Sequence, residues 1–198
     1  MRLSFSFLLL AVAAAVVVVL VTGEEEDAAA DDTGALTLVG DSLNVGTDPR
    51  LREELPRWDI DAHDRVGRTT AEGIEVLRER GGALAPVVVV SLGTNDPDGT
   101  DADFRELVEE AVEIVGPDRC LVWATVARGG EKRAGFNEVL LHAASAHGNV
   151  RLVEWASLVA ENPELLEFDL VHGTPDGYAR RAAETARTIR TCPDQGAA

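Results

Sequence analysis

The chain of 198 residues is poor in aromatic side chains, at 5%, and holds two cysteines. With so few aromatics, valine, alanine and leucine must fill any core, which suits a parallel sheet covered by helices. No CxxC is present, and Cys120 and Cys192 lack metal-ligand spacing, so a metal centre is not expected. No lysine/arginine cluster offsets the formal net charge of -17. An acidic surface repels phosphate backbones, so nucleic acid is not an expected partner. No internal repeat occurs. The G-x-S-x-G elbow is also missing, because Asn44 stands where its second glycine belongs.

What is present starts with an apolar run over residues 3–21. At about 1.5 Å per residue it is just long enough to span a hydrocarbon core of about 30 Å. It fits a cleaved signal peptide equally well. Residues 1–23 are therefore expected to be a signal or a single transmembrane anchor, and either one exports the rest of the chain. No cysteine succeeds the run, so no lipid-modified N-terminus is expected. Residues 24–34 read as an acidic linker, 35–192 as the folded domain and 193–198 as a disordered tail. In an oxidising compartment Cys120 and Cys192 could pair and tie the tail to the sheet. The alternative is one buried thiol and one loose tail thiol.

From residue 35 strands and helices alternate. Strands are expected at 35–39, 58–62, 86–91, 120–126 and 150–154. Helices are expected at 49–55, 69–80, 101–115, 131–147 and 175–190, with a short helical turn at 155–160. The Val87-Val88-Val89-Val90 run implies a strand buried on both faces. Phe104, Leu107, Val108, Ala111, Val112 and Val115 recur at helical spacing. This pattern predicts an α/β domain of three layers, doubly wound and flavodoxin-like. Its five-stranded parallel sheet takes the order 2-1-3-4-5, with helices on both faces.

In such a sheet the ligand crevice lies where the strand order reverses, between strands one and three. Strand one ends at Gly40-Asp41-Ser42, and strand three runs into Gly93-Thr94-Asn95-Asp96. The topology thus brings Ser42 and Asn95 together across 53 residues. A serine hydroxyl needs a base to act as a nucleophile. Of four histidines, His142 and His147 fall in or near a charged helix, and His63 comes after strand two. His172 lies in a loop three residues after Asp169, a spacing that lets the carboxylate orient the ring. Alone, this Asp-x-x-His spacing is also that of a simple loop hydrogen bond. Attack on an ester builds an oxyanion, which the Asn95 amide and the N–H groups of Ser42 and Gly67 could receive. Taken alone, Gly67 reads first as a simple turn glycine. Asp41, Arg68 and Asp96 border the crevice and are candidate substrate-binding residues, or surface charges beside turns.

Gly40-Asp41-Ser42-Leu43, Gly67, Gly93-Thr94-Asn95-Asp96 and Asp169-Leu170-Val171-His172 resemble the four blocks of the SGNH hydrolase (GDSL-type esterase) superfamily. The resemblance implies Ser42 as nucleophile, His172 as base, Asp169 as its orienter, and Ser42, Gly67 and Asn95 as oxyanion donors. It implies no cofactor. Val66-Gly67-Arg68, Trp155 and the stretch from His172 to Tyr178 resemble the extracytoplasmic domain of peptidoglycan O-acetyltransferases, with Gly173 replacing the usual proline.

The expected activity is an exported serine esterase that removes acyl groups, acetyl foremost, from a cell-envelope glycan or a small ester. The alternative is an O-acyltransferase passing the acyl group to a glycan hydroxyl. One apolar segment cannot carry an acyl group across a bilayer, so a transferase would need a separate donor, such as a membrane protein. A third reading is a non-catalytic envelope-binding module. The membrane is expected as a partner only through the N-terminal segment.

Overall fold

Valine-rich runs become the strands of a five-stranded sheet in a computed structural model that describes residues 32–96, 101–128 and 134–193. The strands are β1 (Gly34–Gly40), β2 (Trp58–Asp64), β3 (Val87–Ser91), β4 (Cys120–Ala124) and β5 (Val150–Val153). All pairings are parallel, in the order β2-β1-β3-β4-β5. The helices are α1 (Ser42–Glu54), α2 (Thr70–Arg80), α3 (Asp101–Val115), α4 (Ala134–Ala146), α5 (Trp155–Glu161) and α6 (Pro175–Ile189).

Alternation along the central strands builds two cores. Val88, Val90, Leu121 and Trp123 face α2, α3 and α4, where Ile74, Leu77, Phe104, Val108 and Phe136 meet them. Val87, Val89, Cys120 and Val122 face the other way, onto Leu51, Leu55, Ala182, Ala186 and Ile189 of the α1–α6 layer. Each buried valine contributes about 1.5–3 kcal/mol by leaving water. Burial on both faces explains why β4 and the four valines of β3 are continuous apolar runs rather than alternating.

Several boundaries differ from expectation. The helix expected at 49–55 begins seven residues earlier, at Ser42, and carries Pro49 in its interior. A mid-helix proline costs about 3 kcal/mol. The buried stripe Leu43, Asn44, Thr47 and Leu51 and the Asp41 cap offset that cost. The linker expected up to residue 34 gives way earlier, because Asp32 accepts from Trp58 Nε1 at 2.9 Å and from Arg190 at 2.7 Å. On α2, Thr69 and Glu72 form a reciprocal cap, and Gly81 ends the helix. Cys120 and Cys192 form a disulfide linking β4 to the segment after α6. Among the described residues no helix is long and apolar enough to cross a membrane. The expected signal or anchor at 1–23 and tail residues 194–198 lie outside the described residues.

Candidate active site

Register brings three strand ends level. Gly40 pairs with Asp64 on one side and with Ser91 on the other. The Asp41 N–H donates to the Ser91 carbonyl at 3.2 Å, and the Arg65 N–H to the Gly40 carbonyl at 3.0 Å. The segments leaving β1 and β3 therefore emerge side by side at the reversal of strand order.

Ser42 opens α1. Asp41 is its cap, with Oδ1 accepting the Leu43 N–H at 2.9 Å. The Ser42 N–H thus belongs to the first turn, where N–H groups have no intrahelical acceptor and negative charge is favoured.

The segment bearing His172 is tied at its base. Thr174 N–H donates to the Leu165 carbonyl at 2.9 Å, and Glu167 N–H to the His172 carbonyl at 2.8 Å. At its tip Leu170 takes a left-handed conformation, φ +56°, uncommon for a branched side chain. The tight turn lets Asp169 Oδ1 accept the Val171 and His172 N–H groups at 3.0 and 2.9 Å. Asp169 Oδ2 lies 2.6 Å from His172 Nδ1. These donors, the imidazole foremost, hold the Asp169 carboxyl down at about 2. An ionised carboxylate only accepts, so Nδ1 carries the ring proton and Nε2 presents its lone pair. The Ser42 hydroxyl donates to that Nε2 at 3.0 Å. A hydroxyl so placed can lose its proton to the ring while the carboxylate steadies the imidazolium.

Gly93, at φ +109°, makes the turn that returns Asn95 toward β1. Asn95 Nδ2 donates to Asp41 Oδ2 at 3.1 Å and to the Arg68 carbonyl at 3.2 Å. Ser42 and Asn95 are thus connected through Asp41. Gly67 is exposed in the β2–α2 turn at φ +75°, and no heavy atom lies within 4 Å of where a Cβ would stand.

The candidate substrate-binding residues turn inward. Asp41 is 0% exposed, and both its oxygens are engaged. Arg68 is 8% exposed and donates through Nη1 to the Gly40 carbonyl at 3.1 Å and to the His63 carbonyl. Asp96 Oδ1 accepts the Thr70 N–H at 2.6 Å, capping α2. A buried charge needs partners immediately, and at these strand ends the backbone supplies them. His63 lies within β2 beside Asp61, His147 pairs with Glu109, and His142 is exposed on α4. Among the described residues no group of three or more His, Cys, Asp or Glu could hold a metal ion.

Two residues under the site escaped the sequence reading. Asp64, at the end of β2, accepts from Asn44 Nδ2 at 2.9 Å. Burial pushes its carboxyl up to about 6, with Asp48 and Asp41 adding to the rise and Asn44 and Arg68 opposing it. Arg181 of α6 is buried at 2% exposure. Its stripe, Tyr178, Arg181, Ala182, Thr185, Ala186 and Ile189, repeats at helical spacing, and that was the signal that could have found it.

A parallel sheet of this order, with helices on both faces, is the fold of the SGNH (GDSL-type) hydrolases, as likeness to solved structures shows. The catalytic domain of peptidoglycan O-acetyltransferase A (OatA) from Streptococcus pneumoniae, solved with a methylsulfonyl adduct, superposes with TM-score 0.65 at 22% identity, over 81% of this chain and 92% of that one. The lipase/acylhydrolase from Enterococcus faecalis gives TM-score 0.68 at 21% identity, over 79% and 95%. In sequence the chain is similar to O-acetyltransferases. YrhL of Bacillus subtilis (strain 168), named for that activity, is 31% identical over 163 residues, 81% of this chain and 24% of YrhL. The chain thus spans about a quarter of the length of this curated relative. No protein-family model matches it.

Proposed function

We propose that the chain is an exported serine esterase that removes acetyl or similar acyl groups from a cell-envelope glycan. The observation carrying this reading is the line Ser42 Oγ, His172 Nε2, His172 Nδ1, Asp169 Oδ2, at 3.0 and 2.6 Å. Ser42 attacks the ester carbonyl and gives its proton to His172. The oxyanion is received by the N–H groups of Ser42 and Gly67 and by Asn95. The Asn95 N–H now directed at the Arg68 carbonyl turns to the oxyanion, while the Asp41 contact holds the side chain. His172 then protonates the departing sugar oxygen and activates a water that cleaves the acyl-enzyme.

The His172 and Asp169 side chains are 42% and 50% exposed, so water reaches the base, which favours hydrolysis. Transfer to a glycan hydroxyl is the second reading, favoured by the O-acetyltransferase names of the relatives. A transferase role would draw on a separate acyl donor, such as a membrane protein. The disulfide supports a compartment outside the cytoplasm, with residues 1–23 as signal or anchor.

Turnover of a chromogenic acetate ester by the full chain, beside Ser42→Ala and His172→Ala, tests the reading. The expected result is loss of turnover in both variants with folding unchanged. Adding a glycan oligosaccharide separates the two fates, since a transferase acetylates it while an esterase releases only acetate. Equal rates in all three proteins would sink the assignment.

A further inference from the structure

Arg181 has no task in the reaction as proposed, although it lies beneath the site. The guanidinium donates through Nη2 to Ser91 Oγ at 2.7 Å and stacks 5.1 Å from the Trp155 ring centroid. Its Nε and Nη1 are buried without a hydrogen-bond partner. Burying a cation with donors unspent is costly, and no carboxylate forms a direct salt bridge with it among the described residues. Ser91, its anchor, is the residue whose carbonyl accepts the Asp41 N–H. The cation therefore sits one residue behind the cap of α1.

We propose that Arg181 is a positioning residue of the oxyanion pocket: its buried positive charge balances the carboxylate of Asp41, and that carboxylate aims the Asn95 amide. This rests on the proposed roles of Ser42 and Asn95 in ester attack. Asp41 spends Oδ1 on the Leu43 N–H and Oδ2 on Asn95 Nδ2. Both contacts are charge-assisted while Asp41 is ionised, so a proton on either oxygen weakens them. Weakening the Oδ2 contact loosens the hold on Asn95. Burial raises the Asp41 pKa, and the Leu43 N–H, Arg181 and His172 oppose the rise. The charged and titratable groups around Asp41 are Arg181 and Tyr178 from α6, His172 from the loop before it, Asp64 from β2 and Arg68 from the β2–α2 turn. Asp64 works against an ionised Asp41, and a developing oxyanion adds negative charge beside it. Arg181 offsets both from α6, alongside Arg68 from the β2–α2 turn.

The test compares the full chain with Arg181→Met and Arg181→Lys. Carbon-13 NMR tracks the Asp41 carboxyl through a pH titration, and ester turnover gives kcat and KM against pH. In Arg181→Met, Asp41 should titrate at higher pH, and the acidic limb of kcat should move upward with it. At neutral pH kcat should fall about 10-fold to 100-fold, less than or up to the loss of one oxyanion donor, with KM little changed. Arg181→Lys should keep the wild-type limb. Should Arg181→Met fail to fold, Arg181→Gln keeps a planar polar head without the charge and serves the same comparison. An unmoved Asp41 titration in a folded uncharged variant would overturn the proposal, as would a fall in kcat with the pH profile in place. A wild-type chain that turns over no ester would strike the enzymatic reading, while the NMR titration would still judge the hold of Arg181 on Asp41.

Discussion

Replacing Asp64 by asparagine should stabilise the protein at alkaline pH and leave it unchanged near pH 4. Asp64 is half-buried at the end of β2, and partial desolvation raises its carboxyl from 3.8 to about 6. The folded state therefore favours the neutral acid. Its contribution to stability is fully present below 3.8 and is lost as pH rises through about 6. At about 1.4 kcal/mol per unit, the charged form costs the fold about 3 kcal/mol above that range. Asparagine keeps the acceptor for Asn44 Nδ2 and never ionises, so it recovers between about 1 and 3 kcal/mol at pH 8. Urea unfolding monitored by tryptophan fluorescence, at intervals from pH 4 to pH 8, measures the difference. It should grow from near zero to a plateau above pH 6. A difference that is constant with pH, or an asparagine variant less stable at pH 8 than wild type, would refute the reasoning.

Reducing the Cys120–Cys192 disulfide releases a loop of 72 residues, and the chain-entropy relation gives a loss of about 4 kcal/mol, readable as a lower urea midpoint under reducing conditions. Gly93→Ala forces a side chain into φ +109° with its Cβ 2.8 Å from Val126 Cγ2. It should cost about 1–3 kcal/mol and lower kcat by displacing Asn95, checked by unfolding and ester turnover together. An unchanged kcat in that variant would show that the turn does not set the Asn95 position.

The meeting of Ser42 and Asn95 was legible because strand order alone fixes it: β1 and β3 are neighbours at the reversal, and their ends carry these residues. The Asp169–His172 contact was legible because three residues of separation let the carboxylate reach the ring within one loop. The start of α1 was not, because Pro49 reads as a helix beginning while the Asp41 cap and a buried stripe outweigh it. Asp41 and Arg68 read as crevice charges, since sequence gives no direction to a side chain at a strand end. Arg181 was hidden beside Arg180 in what reads as a charged helix surface, although its spacing with Ala182, Ala186 and Ile189 places it on the buried stripe. The pairing of the cysteines stayed open because it depends on α6 returning to the start of β4, a distance that only the fold supplies.

The most direct test is covalent. The full chain, incubated with an activated acetyl ester and quenched in acid, is digested and mapped by mass spectrometry beside Ser42→Ala. An acetyl group on the Ser42 peptide, formed and cleared at the rate of turnover and absent in Ser42→Ala, is the predicted result. Turnover without that adduct, or an adduct on another residue that persists in Ser42→Ala, would contradict a Ser42 acyl-enzyme.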